Sequence, residues 1–163
     1  MKLYLRVWHG FKRTIPVELI RSARLDAGLT QVELARKAGL RQPSLAQMEA
    51  GVRNVSPAML ERVLKAADYR PNLALERTFQ VIRELAADLG LQNVRVFGSV
   101  ARGEDGFDSD IDLLMTPDKH VTLFDIAFFG EEVRRITGFP ADVIVDIGSV
   151  LPGSTVLEEA IRV

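Results

Sequence analysis

The 163-residue sequence contains no cysteine, which excludes disulfides, thiolate metal sites and a cysteine nucleophile. It also lacks any apolar run approaching the roughly 20 residues needed to span a bilayer. The opening stretch, Met1 to His9, is too short and too interrupted by charge to act as a secretory signal, so a cytoplasmic protein without membrane contact is expected. Histidine is scarce: only His9 and His120 occur, and both lie outside the motifs described below. What remains, 47% hydrophobic and 26% charged residues, is enough to bury one or two small cores.

The net charge of −1 hides an asymmetry. Residues 1–71 carry 13 Lys and Arg against 6 Asp and Glu, a balance of +7. Residues 72–163 carry 8 against 16, a balance of −8. A basic half suits a polyanion partner, and an acidic half suits metal binding. The division falls at Tyr69-Arg70-Pro71-Asn72, where proline punctuates the pattern. Three segments are therefore expected: an arm of unassigned structure over 1–15, a helical domain over 16–70, and a second domain over 72–163. In the arm, Leu3, Leu5 and Val7 alternate with Tyr4, Arg6 and Trp8, a pattern open to a short strand, a dimerising arm or an unfolded extension.

Short helices succeed one another in the basic half. The first spans about Pro16 to Ala27, with Val17, Ile20, Ala23 and Leu25 near helical phase and Gly28 as its stop. Thr30 followed by Glu33 makes a capping-box pattern for a second helix that ends at Gly39. A third lies between Leu40 and Gly51, and a fourth starts at Ser56-Pro57 and reaches Ala67.

The run Leu29-Thr30-Gln31-Val32-Glu33-Leu34-Ala35, then Gly39 to Gly51, resembles the Xre/Cro helix-turn-helix family over about residues 17–70. By that resemblance Leu34, Ala35, Leu40, Leu45 and Met48 are core, and Glu49 is structural. Gln42, Ser44 and Gln47 fall where the family reaches base edges, and glutamine suits adenine N6 and N7. Gln31 matches a phosphate-contacting position, and Arg41 and Arg53 flank the recognition helix as further phosphate contacts. Pro43 replaces the usual polar residue, which implies one base contact fewer. Such modules bind palindromic operator DNA as dimers, so a homodimer is expected; use for protein contacts alone is the competing reading.

In the acidic half, Leu75, Phe79, Ile82, Ala86 and Leu89 mark a helix over 72–90 whose stripe packs on a sheet. Strands are expected at 93–97, 110–116 and 141–147, with a helix from Leu123 to Thr137 and a short final helix over 157–163. After the first strand comes Gly98-Ser99-Val100-Ala101-Arg102-Gly103, then six residues, then Asp110-Ile111-Asp112-Leu113-Leu114. Carboxylates at i and i+2 on a strand share one face. Crowding them is unfavourable without a hard cation, and magnesium takes carboxylate and phosphate oxygens. Gly98 admits close approach of a phosphate to backbone N–H groups, with Ser99 adding a hydroxyl.

This motif, with Ser109 ahead of the first aspartate, resembles the DNA polymerase beta-like nucleotidyltransferase superfamily and its minimal members. The resemblance implies an α+β architecture: an all-α helix-turn-helix bundle followed by a small mixed β-sheet with flanking helices. It further implies attack of a hydroxyl on the α-phosphate of ATP, with two Mg2+ ions as cofactor held by Asp110, Asp112 and a third carboxylate. Ala141-Asp142-Val143-Ile144-Val145-Asp146-Ile147 supplies the candidates. The family pattern favours Asp142, at the head of the strand, over Asp146 near its end. Gly98 and Ser99 would grip the β and γ phosphates, with Arg102 and Ser109 completing nucleotide binding.

The acidic half leaves no room for a separate RNA- or antibiotic-binding domain. Minimal members of the family resemble antitoxins encoded beside a HEPN-type RNase toxin, where AMP from ATP is transferred to a toxin tyrosine. The expected partners are therefore such a toxin and operator DNA, the helix-turn-helix repressing its own operon. Competing expectations are a regulator whose transferase half is an inactive sensor, and transfer to RNA, which the acidic charge disfavours.

Overall fold

The computed structural model describes residues 4–148 and 155–162. Helix α1 (Tyr4–Asp26) opens the chain, so residues 4–15 continue the first helix upstream of Pro16 and form no strand. Pro16 has no N–H to donate, and one carbonyl of the preceding turn loses its helical partner there. Three short helices follow: α2 (Gln31–Lys37), α3 (Gln42–Glu49) and α4 (Pro57–Ala66). The α2 capping box forms as the sequence suggests. Thr30 Oγ1 accepts from the Glu33 N–H at 3.2 Å, and Glu33 Oε2 accepts from the Thr30 N–H at 2.8 Å. Leu34, Ala35, Leu45 and Met48 are buried in the bundle, whereas Leu25, in phase by sequence, is 57% exposed.

The long helix α5 (Pro71–Asp88) leads into strand β1 (Leu91–Phe97), a one-turn helix α6 (Gly98–Arg102) and strand β2 (Ile111–Pro117). Helix α7 (Leu123–Thr137) then connects to strand β3 (Ala141–Val145). The tail differs from the expected single helix. Residues Thr155–Glu159 form α8, and Ile161–Arg162 form a two-residue strand, β4, pairing with β1 through Arg95 and Val96. β1 would otherwise expose an unpaired edge, and satisfying its backbone groups outweighs continuing a short helix.

The sheet order is β3-β2-β1-β4, with β2 and β3 parallel and the other pairs antiparallel. On β2, Ile111, Leu113 and Met115 lie in the core, with α5 packed on β1 and α7 on β3, while Asp112 and Thr116 alternate to the other face, where Leu114 is buried as well. The architecture is thus α+β: a helical N-terminal bundle, then a mixed four-stranded sheet with flanking helices.

The two halves share one continuous core, from Ile15 and Leu19 through Leu60 and Leu64 to Phe129 and Phe139. Gly138 sits at this junction with φ +80°, where a Cβ would lie 2.8 Å from both Leu60 and Leu64. Across the junction Arg134 reaches Glu61 at 3.2 Å, and Lys65 reaches Asp108 at 3.0 Å. Among the described residues no helix is long and apolar enough to cross a membrane.

Candidate functional site

β1 delivers the chain to Gly98, which adopts φ +67° and turns it into α6. Gly103, also left-handed, ends that helix, with the Glu104 N–H donating to the Ser99 carbonyl at 2.9 Å. The last residue of β1, Phe97, is the cross-strand partner of Asp112. Asp112 is in turn in register with Asp142 on the parallel strand β3. Adjacent register positions carry their side chains to the same side of a sheet. The structure therefore sets Asp112 and Asp142 next to each other beside the Gly98 turn, with Asp110 two residues upstream at the strand entrance.

A Cβ on Gly98 would overlap the Asp112 carboxylate. The turn and the acid are packed so closely that only glycine fits. Burial, reinforced by the charges of Asp142 and then Asp110, pushes the Asp112 carboxyl above the usual carboxylate range, and Arg102 acts in the opposite direction. Mutual repulsion of this kind is what a divalent cation relieves. Among the described residues no three acidic or histidine side chains are close enough together to hold one ion. Magnesium is ordinarily held by one or two carboxylates plus substrate phosphates rather than by an all-protein cage. The half-buried Asp112, exposed Asp142 and nearby Asp110 therefore fit a metal that arrives with its nucleotide.

Asp146, the alternative third carboxylate, lies just past the end of β3. Its Oδ2 is 3.5 Å from an Arg95 guanidinium nitrogen, and its Oδ1 accepts from the Gly148 N–H at 2.9 Å. Asp146 is thus already paired within the chain, and Asp142 is the acid in register with Asp112.

The remaining nucleotide-site candidates are placed less simply. Ser109 Oγ accepts from the Gly106 N–H at 3.0 Å, which ties off the turn just before Asp110. Arg102 donates to Glu104 and to Glu159 of α8, both at 2.8 Å, so its guanidinium is engaged by carboxylates. The loop joining Gly103 to Asp110 is held by Asp105, 4% exposed, whose Oδ2 accepts from the Asn72 N–H at 2.9 Å in the first turn of α5. Sequence reasoning missed Glu104, Asp105 and Glu159, because their partners are set by tertiary packing and no local spacing signals them.

In the helical half, Gln31 and Gln42 meet at the entrances of α2 and α3. Gln42 Nε2 donates to Gln31 Oε1 at 2.9 Å, and Gln31 Nε2 donates to Glu49 Oε2 at 2.9 Å. Arg24 closes the chain with Nε to Glu49 Oε1 at 2.6 Å. Burial works to raise the Glu49 carboxyl, but hydrogen bonds from Arg24 and Gln31 prevail and hold it below the usual range. Gln42 keeps one N–H and its carbonyl oxygen available, the pair needed for an adenine edge. Gln47, Arg41 and Arg53 are exposed and Ser44 is half-exposed, so all four are accessible. Pro43 lies in the first turn of α3, where a missing N–H is tolerated. Glu49 is structural, as expected; Arg24, 25 residues away in sequence, carried no signal of its role.

A bundle that presents a reading helix and a sheet that gathers carboxylates beside a glycine turn define a two-part protein: a nucleic-acid-reading module joined to a nucleotide-handling one. Residues 20–73 match the helix-turn-helix family, and residues 78–161 match the nucleotidyltransferase domain. The chain belongs to the nucleotidyltransferase family, with a helix-turn-helix DNA-binding domain ahead of the transferase domain. A solved structure described as a minimal nucleotidyltransferase is 36% identical, covering 56% of this chain and 95% of that one with a TM-score of 0.50. No curated protein matches the chain.

Proposed function

We propose that this nucleotidyltransferase moves a nucleoside monophosphate, AMP from ATP, to a hydroxyl on a partner toxin of HEPN RNase type, and that its helix-turn-helix represses the operon encoding the pair. The observation supporting transfer is the register of Asp112 with Asp142 beside Gly98, with Asp110 two residues upstream. In this reading the backbone of the Gly98 turn and the Ser99 hydroxyl hold the β and γ phosphates. Asp110 and Asp112 would hold Mg2+ when the triphosphate is bound, and Asp142 would complete the site near the attacking hydroxyl. The chemistry such a metal would supply there is a more acidic attacking hydroxyl and stabilised charge on the leaving oxygens. The acceptor oxygen forms its bond to the α-phosphorus as the bond to the β-phosphate oxygen breaks. Pyrophosphate leaves with that electron pair, and the hydroxyl proton passes to water.

The test is incubation of the chain with α-labelled ATP, magnesium and the product of the adjacent gene. Label should appear on the partner, and Asp110→Ala or Asp112→Ala should abolish it. Label that survives in both variants removes the site assignment.

One observation favours a second reading, in which the sheet domain only senses nucleotide or binds the toxin. Arg102 is engaged by Glu104 and Glu159 rather than left open to phosphate. ATP titration with the adjacent gene product present separates the two: magnesium-dependent binding followed by pyrophosphate release supports transfer, and binding without release supports the sensor.

A further inference from the structure

We infer that Asp105 is a positioning residue of the transferase site: bonded to the first turn of α5, it sets where Asp110 stands relative to Asp112. This rests on the transfer reading, in which Asp110 helps to hold the metal.

Among residues 103–110 Asp105 alone is buried, at 4% exposure, and the rest of the loop is exposed or half-buried. A buried carboxylate is costly unless its oxygens find donors. Asp105 Oδ2 finds one, the Asn72 N–H at 2.9 Å, 33 residues away in sequence. Its Oδ1 is buried with no hydrogen-bond partner among the described residues. The Asn72 N–H is the first donor that α5 offers, because Pro71 has none. Capping that helix end needs no residue from so far away. The N-cap position is Arg70, whose side chain makes no capping bond, and a serine or aspartate there would serve locally. Helix stability therefore does not account for a carboxylate brought in on the loop, whereas fixing the loop does.

What the loop carries is Asp110. Its side chain is exposed and makes no hydrogen bond or ion pair among the described residues, so the backbone alone places it. Positions 105 and 110 flank a turn closed in both directions. The Ser109 N–H donates to the Gly106 carbonyl at 2.9 Å, and the Gly106 N–H donates to Ser109 Oγ at 3.0 Å. Just beyond Asp110, the Ile111 N–H donates to the Pro140 carbonyl at 2.9 Å as β2 begins. Asp110 is thus held between two fixed points, the start of β2 and the buried Asp105. The remaining tether, Asp108 to Lys65, joins side chains 70% and 39% exposed, and exposed pairs of this kind hold little. α5 itself packs on β1, the strand that delivers the Gly98 turn. Asp105 therefore references Asp110 to the same framework that places Gly98 against Asp112.

The full chain, with magnesium, labelled ATP and the adjacent gene product, tests this. Two quantities are read. One is the magnesium concentration that half-saturates ATP binding, by equilibrium dialysis without the partner; the other is the single-turnover transfer rate. Asp105→Ala should raise the first about tenfold and lower the second about 100-fold, the order expected when a group is displaced by about 1 Å. Asp105→Asn keeps an oxygen for the Asn72 N–H and should stay within a few-fold of wild type in both. Ala74→Gly weakens α5 away from the loop and should lower the melting temperature while leaving the magnesium requirement unchanged. Should Asp105→Ala fail to fold, Asp105→Glu takes its place: its acceptor lies one methylene further out, so the bond to Asn72 survives only if the loop shifts, and the same two losses are expected. A wild-type magnesium requirement and rate in that variant, equal losses in Asp105→Asn, or an equal shift in Ala74→Gly overturns the proposal. A wild type that neither binds ATP nor transfers label overturns the transferase reading, and this inference with it.

Discussion

Gly98 and Gly103 bound the same one-turn helix and have nearly the same backbone, φ +67° and +69°. An L-residue in that left-handed region costs roughly 1–2 kcal/mol. Both Gly98→Ala and Gly103→Ala should therefore lose at least this backbone cost, about 2–8 °C in melting temperature for a chain of this size, with displacement of Asp112 added at Gly98 alone. Their surroundings differ completely. A Cβ at Gly103 meets nothing within 4 Å, whereas at Gly98 it overlaps an Asp112 carboxylate oxygen and lies 3.2 Å from Asp112 Cγ. Accommodating the methyl group pushes Asp112 out of line with Asp142, and misplacing a reacting group by about 1 Å costs on the order of 100-fold in rate. Thermal melts measure the shared cost, and transfer of label from ATP under single-turnover conditions measures the difference. Gly103→Ala should retain transfer within a few-fold of wild type, and Gly98→Ala should lose about 100-fold or more. Equal transfer by the two variants would show that close packing of the turn on Asp112 has no part in the chemistry.

Asp112 carries a raised carboxyl because of burial and then the neighbouring charges of Asp142 and Asp110. A raised folded value means that its protonated form is stabilising and that this contribution is lost as pH rises through that value. Asp112→Asn should thus melt above wild type at neutral pH, converge with it in acid, and be inactive; a lower neutral melting temperature would contradict the repulsion argument. Arg24→Ala strands Glu49, whose side chain is 7% exposed, and should cost roughly 3–5 kcal/mol by chemical denaturation. The Glu49 carboxyl is depressed, so its stabilisation is present above the ordinary glutamate range and lost as pH falls through the lower folded value. Wild type should lose that increment on acidification and Arg24→Ala should not, which pH-dependent melts would check. Gln42→Ala with Gln47→Ala should weaken binding to a selected operator by about 1–3 kcal/mol per lost base contact, leaving salt-sensitive binding to random DNA in place. Equal loss on every sequence, in a mobility-shift titration, would mean these side chains do not read bases.

Much of the molecule was legible because its signals are local. The capping box at Thr30 and Glu33, the glycine stops and the apolar stripe of α5 are each decided within a turn or two of helix, and each fell where the periodicity placed it. The alternation of Ile111, Asp112 and Leu113 likewise fixed which side of the sheet the acid would take. Pairings between distant segments were not legible. Arg24 with Glu49, Asp105 with Asn72 and Arg102 with Glu159 depend on how helices and sheet pack, and no spacing encodes them. The tail failed for the same reason: Ile161 and Arg162 are too few to read as a strand, and only the open edge of β1 makes them one. Residues 149–154, between β3 and α8, lie outside the described residues.

The two halves are coupled more tightly than a fusion of independent modules requires. Asp110 follows a loop anchored to the helical half through Asp108 on Lys65 of α4, and to the first turn of α5 through Asp105. Asp142 follows Gly138 by four residues, and Gly138 is wedged against Leu60 and Leu64 of α4. Asp110 and Asp142 are thus each a few residues from a contact with α4, the helix against which α2 packs. A packed junction of this kind shifts as a unit rather than deforming locally. A movement of Asp110 or Asp142 would therefore bear on α4, against which α2 packs.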